Sequence, residues 1–350
     1  MFRLKRFLAI LLALALVLCS GCGGTKSEAP TLTNNKVESQ EQPTYYTPLT
    51  GEPVDSEPAN TRPYAVMINN IVYAQPQVGV SNADLIYEIP AEGAVTRMMA
   101  IFSDLSDVES VGSIRSLRPY YLSVALSYDA IVIHAGGSEQ AYSDLSTYNA
   151  DHLDGVRDAK ASAAMFYRDP SRGRYGSEHT LFFYGTKVAD LVQEYAFRTE
   201  HDSGYKTGLS FSDDAASQGT GEANTVTVTF SASKTTQFTY QSDSGKYTAV
   251  QYNDDYKDGA TGEKVAFSNV LVLSAKMSTV DSYGRLAVEL VGSGDGYLAC
   301  GGKYVPIKWS RSSINDCFTY TLADGTPLSF ARGTTYVGIV PTSGGSATFA

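Results

Sequence analysis

The stretch Val111–Gln140, VGSIRSLRPYYLSVALSYDAIVIHAGGSEQ, decides how the chain is read. It runs as turn, helix, buried strand, glycine turn and second helix. The first helix is expected over Arg115–Leu126, with Arg115 and Arg118 three residues apart and therefore on one face. Ala130–His134 is apolar and of the length of a buried strand. It ends on His134 and passes into Gly136-Gly137-Ser138 ahead of Glu139. A strand, a glycine turn and a helix N-terminus in succession is the arrangement in which α/β proteins bind ligands, often anions. The spacing contains neither GxGxxG nor the P-loop pattern, so neither a dinucleotide site nor a nucleotide phosphate loop is read here.

Upstream of this stretch, Pro63–Asn70, Leu85–Ile89 and Thr96–Phe102 read as strands, the last two flanking Glu92-Gly93. Downstream, Gln140–Tyr148 reads as a helix, Asp151–Arg174 as a charged irregular segment, and Thr180–Tyr184 as a strand. Thr186–Tyr195 has helical spacing, with Val188, Leu191, Val192 and Tyr195 on one face. Strands alternating with helices give a mixed α/β domain over 45–202. Ser203–Asn224 is rich in Gly, Ser, Asp and Ala and reads as an inter-domain linker. Beyond it the helical period disappears. Thr225–Phe230, Lys246–Tyr252, Val270–Leu273, Arg285–Leu290, Lys303–Trp309, Phe318–Leu322 and Thr335–Val340 are short and β-prone, and Asp324-Gly325 marks a hairpin. The second domain, 225–341, is thus a mainly-β barrel or sandwich, followed by a tail at 342–350. The fold class is α+β, with two domains.

The N-terminus has its own signature. Arg3, Lys5 and Arg6 precede the apolar run Phe7–Leu18, which has the length of a signal-peptide core and is too short to span a bilayer. Ser20-Gly21 before Cys22 looks like a lipobox, so 1–21 is expected to be a lipoprotein signal peptide and Cys22 the acylated residue. A diacylated thioether carries enough hydrocarbon for stable anchoring. Residues 22–44 are polar and proline-containing, a tether between membrane and domain. The expected location is the extracytoplasmic face of the cell membrane. Loss of 1–21 moves the formal charge from −10 to −13, which argues against nucleic-acid binding. Cys300 and Cys317 are either a disulfide or two separate thiols. The spacing gives no CxxC or HExxH, so no metal and no cofactor are expected.

The runs RPYAVMINN (62–70), QPQVGVSNADLIYEIPAEGAVTRMMAIFSD (75–104), VGSIRSLRPYY, DAIVIHAGGS and KWSRSSINDCFTYTLADGTPLSFARGTTYVGIVP (308–341) resemble the YerB-type bacterial lipoproteins. The resemblance spans about Thr47 to Pro341 and implies two domains of unknown function on a membrane-anchored extracellular protein. It brings no catalytic residues with it. Near His179 it implies a His-Asn pair, where this chain has Glu178-His179-Thr180.

The chemistry-bearing candidates are few. His134 is either a general acid or base or a hydrogen-bonded core histidine. Arg115 and Arg118 form either an anion clamp or ion pairs with Glu88, Glu92 or Asp129. Arg97 is a candidate ligand-binding cation, with a structural pair to Glu92 as the alternative. Gly136, Gly137 and Ser138 are candidate amide donors, Ser138 doubling as a helix cap. Arg168, Arg172 and Arg174 lie in a Gly/Pro-containing loop near His179. Two functions follow: a non-catalytic envelope lipoprotein that binds an anionic wall component or a membrane-protein partner, or a hydrolase or transferase acting on phosphodiester or polyprenyl-phosphate wall precursors.

Overall fold

The strands that build the interior are apolar on both faces. Tyr64–Asn70 (β1), Leu85–Pro90 (β2) and Thr96–Phe102 (β3) are buried almost throughout. Such runs suit the middle of a sheet covered on both sides. In the computed structural model the described residues are 45–350; the signal peptide, Cys22 and the tether, 1–44, lie outside them.

Pro119–Ser127 (α1) leads into Ile131–His134 (β4), then Glu139–Thr147 (α2), His152–Asp154 (β5), Ala159–Ala164 (α3) and Val188–Glu194 (α4). The second half contributes Gly221–Glu222 (β6), Thr225–Ser231 (β7), Lys234–Gln241 (β8), Lys246–Gln251 (β9), Asn269–Ala275 (β10), Gly292–Cys300 (β11), Lys303–Arg311 (β12), Thr335–Pro341 (β13) and Ser346–Phe349 (β14). One central sheet runs β6-β12-β11-β10-β13-β2-β3-β1-β4-β5, with Thr319–Thr321 added on β12. Its joint is the parallel pairing of β13 with β2, Thr335 opposite Leu85 and Gly338 opposite Glu88. Each half of the chain therefore supplies one side of a single sheet.

A second sheet, β9-β8-β7-β14 with short flanking strands, lies over one face of the first. In β7 the alternation TVTVTFS turns Val226, Val228 and Phe230 inward. They share a core with Phe238, Tyr247, Val270, Val272 and Tyr336, all at most 2% exposed. Phe238 and Phe267 pack on Tyr336 at 4.5 and 5.6 Å between ring centroids. The second half is thus a sandwich, and α+β is the class of the whole. α1, buried along most of its length, covers the opposite face of the central sheet with Tyr121, Leu122, Val124 and Ala125.

Several sequence expectations are corrected here. The helix expected over Arg115–Leu126 begins only at Pro119. Proline disfavours helical backbone in the residue before it, and Arg118 is extended (φ −129°, ψ 154°). The preceding backbone bonds to its neighbours instead: Arg115 N donates to Met67 O at 2.9 Å and Leu117 N to Gly136 O at 2.9 Å. Arg115 and Arg118 therefore do not share a helix face. The segment 151–174 holds β5, α3 and the strand Phe166–Arg168; α3 is capped by Asp158, which accepts from Lys160 N and Ala161 N.

Residues 203–224, read as a linker, are laced to the body. Ser212 N donates to Phe330 O at 2.9 Å, Phe330 N to Ser210 O at 2.8 Å, and β6 pairs with β12. The tail 342–350 contains β14, which pairs with β7. Strand β11 is rich in glycine and was not anticipated as a strand. There a Cβ on Gly294 would lie 2.5 Å from Trp309 Nε1, and one on Gly296 2.5 Å from Val272 O. Glycine marks close approach in that strand rather than a loop. Cys300 and Cys317 are free thiols, so no disulfide closes the second half.

Candidate functional site

Strands β2, β1, β4 and β5 run in one direction, since β1 and β2 are both antiparallel to β3 and β4 is parallel to β1 and β5. Their carboxyl ends share one edge of the sheet. Ligands of open α/β sheets bind at such an edge. Here it carries Asn69 and Asn70 from β1, Glu92 after β2, Arg97 near the start of β3, and His134 and Asp154 at the ends of β4 and β5.

Two of the three candidate arginines are fully engaged. Arg97 donates to Ser116 O at 2.5 Å and to Glu92 Oε1 at 3.1 Å. Arg118 donates to Leu117 O at 2.9 Å and to both Glu92 oxygens, Nε to Oε2 at 3.3 Å and Nη2 to Oε1. Glu92, not Glu88 or Asp129, is thus the shared partner. Burial alone would raise its pKa, but the Arg118 hydrogen bond and the Arg97 charge hold it down at about 2. Burial, reinforced by the Arg118 charge, lowers Arg97 to about 10. Tyr120 and Tyr121 of α1 fix the ends of the strands, donating to Pro90 O at 2.9 Å and Arg97 O at 2.5 Å.

Arg115 differs. It is half-buried, and among the described residues its guanidinium forms no hydrogen bond and no ion pair, Glu178 being the carboxylate whose charge acts on it. Burial lowers its pKa; Glu178 opposes this and Arg118 adds to it. Around it lies a group that sequence reasoning passed over. Asn69 Nδ2 donates to His179 Nδ1 at 2.9 Å, with Ser113 Oγ and Glu178 O both at 3.4 Å. The carbonyl of Glu178 accepts only, so the Asn69 atom facing it is the amide nitrogen. His179 Nδ1 is then an acceptor, and the neutral ring carries its proton on Nε2. Burial depresses the His179 pKa, with Glu178 opposing and Arg115 adding to it, which favours the neutral ring. His179 therefore carries an N–H donor in the same neighbourhood as Arg115, whose preceding residue Ile114 donates its N–H to Leu181 O at 2.8 Å. The clue in the sequence was Asn69-Asn70 closing an apolar run; the asparagine paired with His179 comes from β1, far away along the chain.

His134 is fully buried and both its nitrogens are used. Nδ1 donates to Gly136 O at 2.9 Å, so Nε2 accepts from His152 Nδ1 at 3.0 Å. Burial lowers its pKa to about 4 against the pull of Asp154. His134 is thus buried with both ring nitrogens in hydrogen bonds inside the turn. In the glycine turn the amides of Gly136 and Ser138 are taken within the protein. Gly136 (φ +70°) gives its N–H to Asp154 Oδ1 at 2.8 Å, and Ser138 gives its own to Leu117 O at 3.3 Å. Gly137 lies opposite Leu117 in a parallel bridge formed by the bonds of Gly136 O and Ser138 N, and Ser138 Oγ caps α2 through Ala141 N at 3.2 Å. In the basic loop, Arg168 holds Ser177 O and Thr180 Oγ1, Arg172 holds Ala74 O and Pro76 O, and Arg174 lies on Tyr175.

One cavity adjoins these groups and another lies away from them. One of about 650 Å³ is walled by Arg118, Tyr120, Ser138, Leu286, Val288 and Ile314. The larger, about 1050 Å³, lies at the opposite end of the strands by Arg62, Tyr64, His201 and Tyr205. Two of its charged groups are engaged, Arg62 with Asp151 at 2.5 Å and His201 with Asp129 at 3.0 Å, while Lys206 lines it and is exposed. Among the described residues, no cluster of three or more His, Cys, Asp or Glu side chains suited to a metal ion is present.

Two family models cover most of the chain. Residues 49–198 match the N-terminal domain, and residues 226–337 the C-terminal domain, of a protein family of unknown function, DUF3048. The chain belongs to this family. It is 30% identical over 298 residues to "Putative lipoprotein YerB" of Bacillus subtilis (strain 168), covering 84% of this chain and 86% of that one. The crystal structure of YerB protein from Bacillus subtilis is similar, with a TM-score of 0.73 and 27% identity, over 87% of this chain and 99% of that one. As in the family models, the two halves of this YerB-like chain meet near 199–225, the segment laced to the body by Ser210, Ser212 and β6.

Proposed function

We propose that this YerB-like chain is a lipoprotein of the bacterial envelope, anchored through Cys22 on the extracytoplasmic side, that binds an anionic group of an envelope component without turning it over. The observation that carries this reading is Arg115: a half-buried guanidinium with no hydrogen bond or ion pair among the described residues, on a segment tied to the His179 region by Ser113 through Asn69 and by Ile114 N, which donates to Leu181 O at 2.8 Å. An unpaired cation and a neutral N–H donor suit a phosphate or carboxylate oxygen. The hydrolase or transferase reading has less support, because His134 is buried with both nitrogens engaged and His179 Nδ1 is taken up by Asn69. The lipoprotein name of the Bacillus subtilis relative and the Ser20-Gly21-Cys22 sequence support the anchor.

Arg115→Ala should weaken anion binding by about 1.5–3 kcal/mol, the scale of a charge-assisted hydrogen bond, while leaving the melting temperature of the free protein nearly unchanged. Melts with and without short polyphosphate check this: the wild type should be stabilised by the anion and the variant should not. A large loss of stability without ligand would make Arg115 a structural residue. The anchor has its own check. The intact mass of membrane-bound protein should correspond to a chain that begins at acylated Cys22, and Cys22→Ala should leave the precursor unprocessed or release it to the medium. An unmodified Cys22 in the membrane-bound form counts against the anchor.

A further inference from the structure

Beside Arg115 and His179 stands an aromatic pair that packing does not require. Tyr73 and Tyr175 stack at 5.2 Å and 24°, yet they remain 50% and 38% exposed. They come from separate loops, one after β1 and one in the segment 170–175. Arg172 ties the two loops together through Ala74 O at 2.9 Å and Pro76 O at 2.5 Å. The guanidinium of Arg174 lies over the Tyr175 ring at 4.4 Å, which leaves Tyr73 as the open ring. Tyr73 is 6.1 Å from the His179 ring between centroids. A group bound on His179 Nε2 therefore has an aromatic surface next to it. Glu178, with its side chain 47% exposed and Oε1 3.9 Å from His179 Nε2, is the carboxylate at this spot.

Resting on the reading of Arg115 as an anion site, we propose that the ligand is a glycosyl phosphate, its phosphate on Arg115 and His179 and its sugar ring against Tyr73. Three features select this class. The guanidinium and the Nε2–H supply donors for one phosphate. The wet tyrosine supplies an amphipathic surface of the kind that takes the apolar face of a pyranose. The Glu178 carboxylate accepts hydrogen bonds from hydroxyl groups, which a sugar offers.

The test is titration calorimetry on the full chain in detergent with inorganic phosphate, glycerol 1-phosphate, glucose 1-phosphate and uridine monophosphate. Glucose 1-phosphate should bind about fivefold more tightly than glycerol 1-phosphate, the effect of one stacked ring at the low end of its range. Tyr73→Ala should abolish that preference and leave inorganic phosphate within about twofold, which also shows that the variant is folded; Tyr73→Phe should keep the preference. Arg115→Ala should weaken every phosphate ligand by about tenfold or more. Equal affinity for glucose and glycerol phosphates would remove the sugar subsite and leave the anion site standing. Tighter binding of uridine monophosphate would replace the sugar by a base and overturn the proposal. Absence of binding by all four would sink the anion reading itself.

Discussion

Lys234→Met should lower the stability of the whole fold by about 3–5 kcal/mol, the cost of leaving a buried charge without its partner. Lys234 sits on β8 of the covering sheet and is 2% exposed; its ammonium lies 2.9 Å from Glu88 Oε1 on β2, which is fully buried. The carboxylate is otherwise held by neutral donors. Asn70 Nδ2 (3.1 Å) and Thr96 Oγ1 (2.6 Å) reach Oε1, while Thr236 Oγ1 (3.0 Å) and Tyr336 OH (2.6 Å) reach Oε2. Those four bonds remain in the variant, which places the loss toward the lower end of the range. The ammonium also donates to Thr236 Oγ1 and Gln251 Oε1, both at 2.9 Å, and methionine leaves both acceptors without it. Glu88→Gln alone should also destabilise, since it strands the ammonium. The double variant should lose less than the sum of the two, because no charge is left buried. Urea midpoints of the four proteins measure this coupling. Strictly additive losses would mean that the two charges do not sense each other.

Acid should destabilise the protein through His134 well above the range in which carboxylates titrate. The pKa of His134 is about 4 in the fold, against 6.5 for a free imidazole. Between those values the unfolded chain takes up a proton that the native chain refuses. Stability is therefore fully present above pH 6.5 and falls as the pH drops toward 4. At 1.36 kcal/mol per pH unit the loss over the window is about 3 kcal/mol. Burial lowers His152 in the same direction, so it adds to the slope. His134→Asn should be less stable at pH 7, having lost its bonds to Gly136 O and His152, yet its stability should fall less steeply between pH 6.5 and 4. Parallel slopes for wild type and variant would show that the buried ring protonates without cost.

The strands of the first half were legible because their apolar runs match a doubly covered sheet, and Thr96–Phe102 occurs with the limits read from sequence. Position 115 was misassigned because a proline four residues on sets where the helix starts, while the pairing of Arg115 N with Met67 O is a tertiary contact that local spacing does not encode. At the site, the sequence named Arg97, Arg115 and Arg118 but could not rank their contacts. Arg97 and Arg118 converge on Glu92 only once β3, α1 and the turn after β2 are packed, and Arg115 is set apart by what it fails to meet. Asn69, Ser113 and His179 come together from three distant segments. His134 looked chemical because a histidine closed an apolar strand. His152, which occupies its Nε2, lay in the segment read as irregular.

The pairing of Thr335 with Leu85 has a consequence for the order in which the chain is made. The strand that flanks β2 on its second side is among the last to be synthesised, 250 residues after its neighbour. Until it arrives, β2 is the rim of a half-built sheet, with a row of free amides and carbonyls along an apolar strand and a charged Glu88 in the middle of it. A nascent chain in that state is open to pairing with other chains. Contacts of such sequence separation also slow folding. The early half must wait for the late one, so a ribosome that stops short of residue 335 leaves a product that cannot close itself.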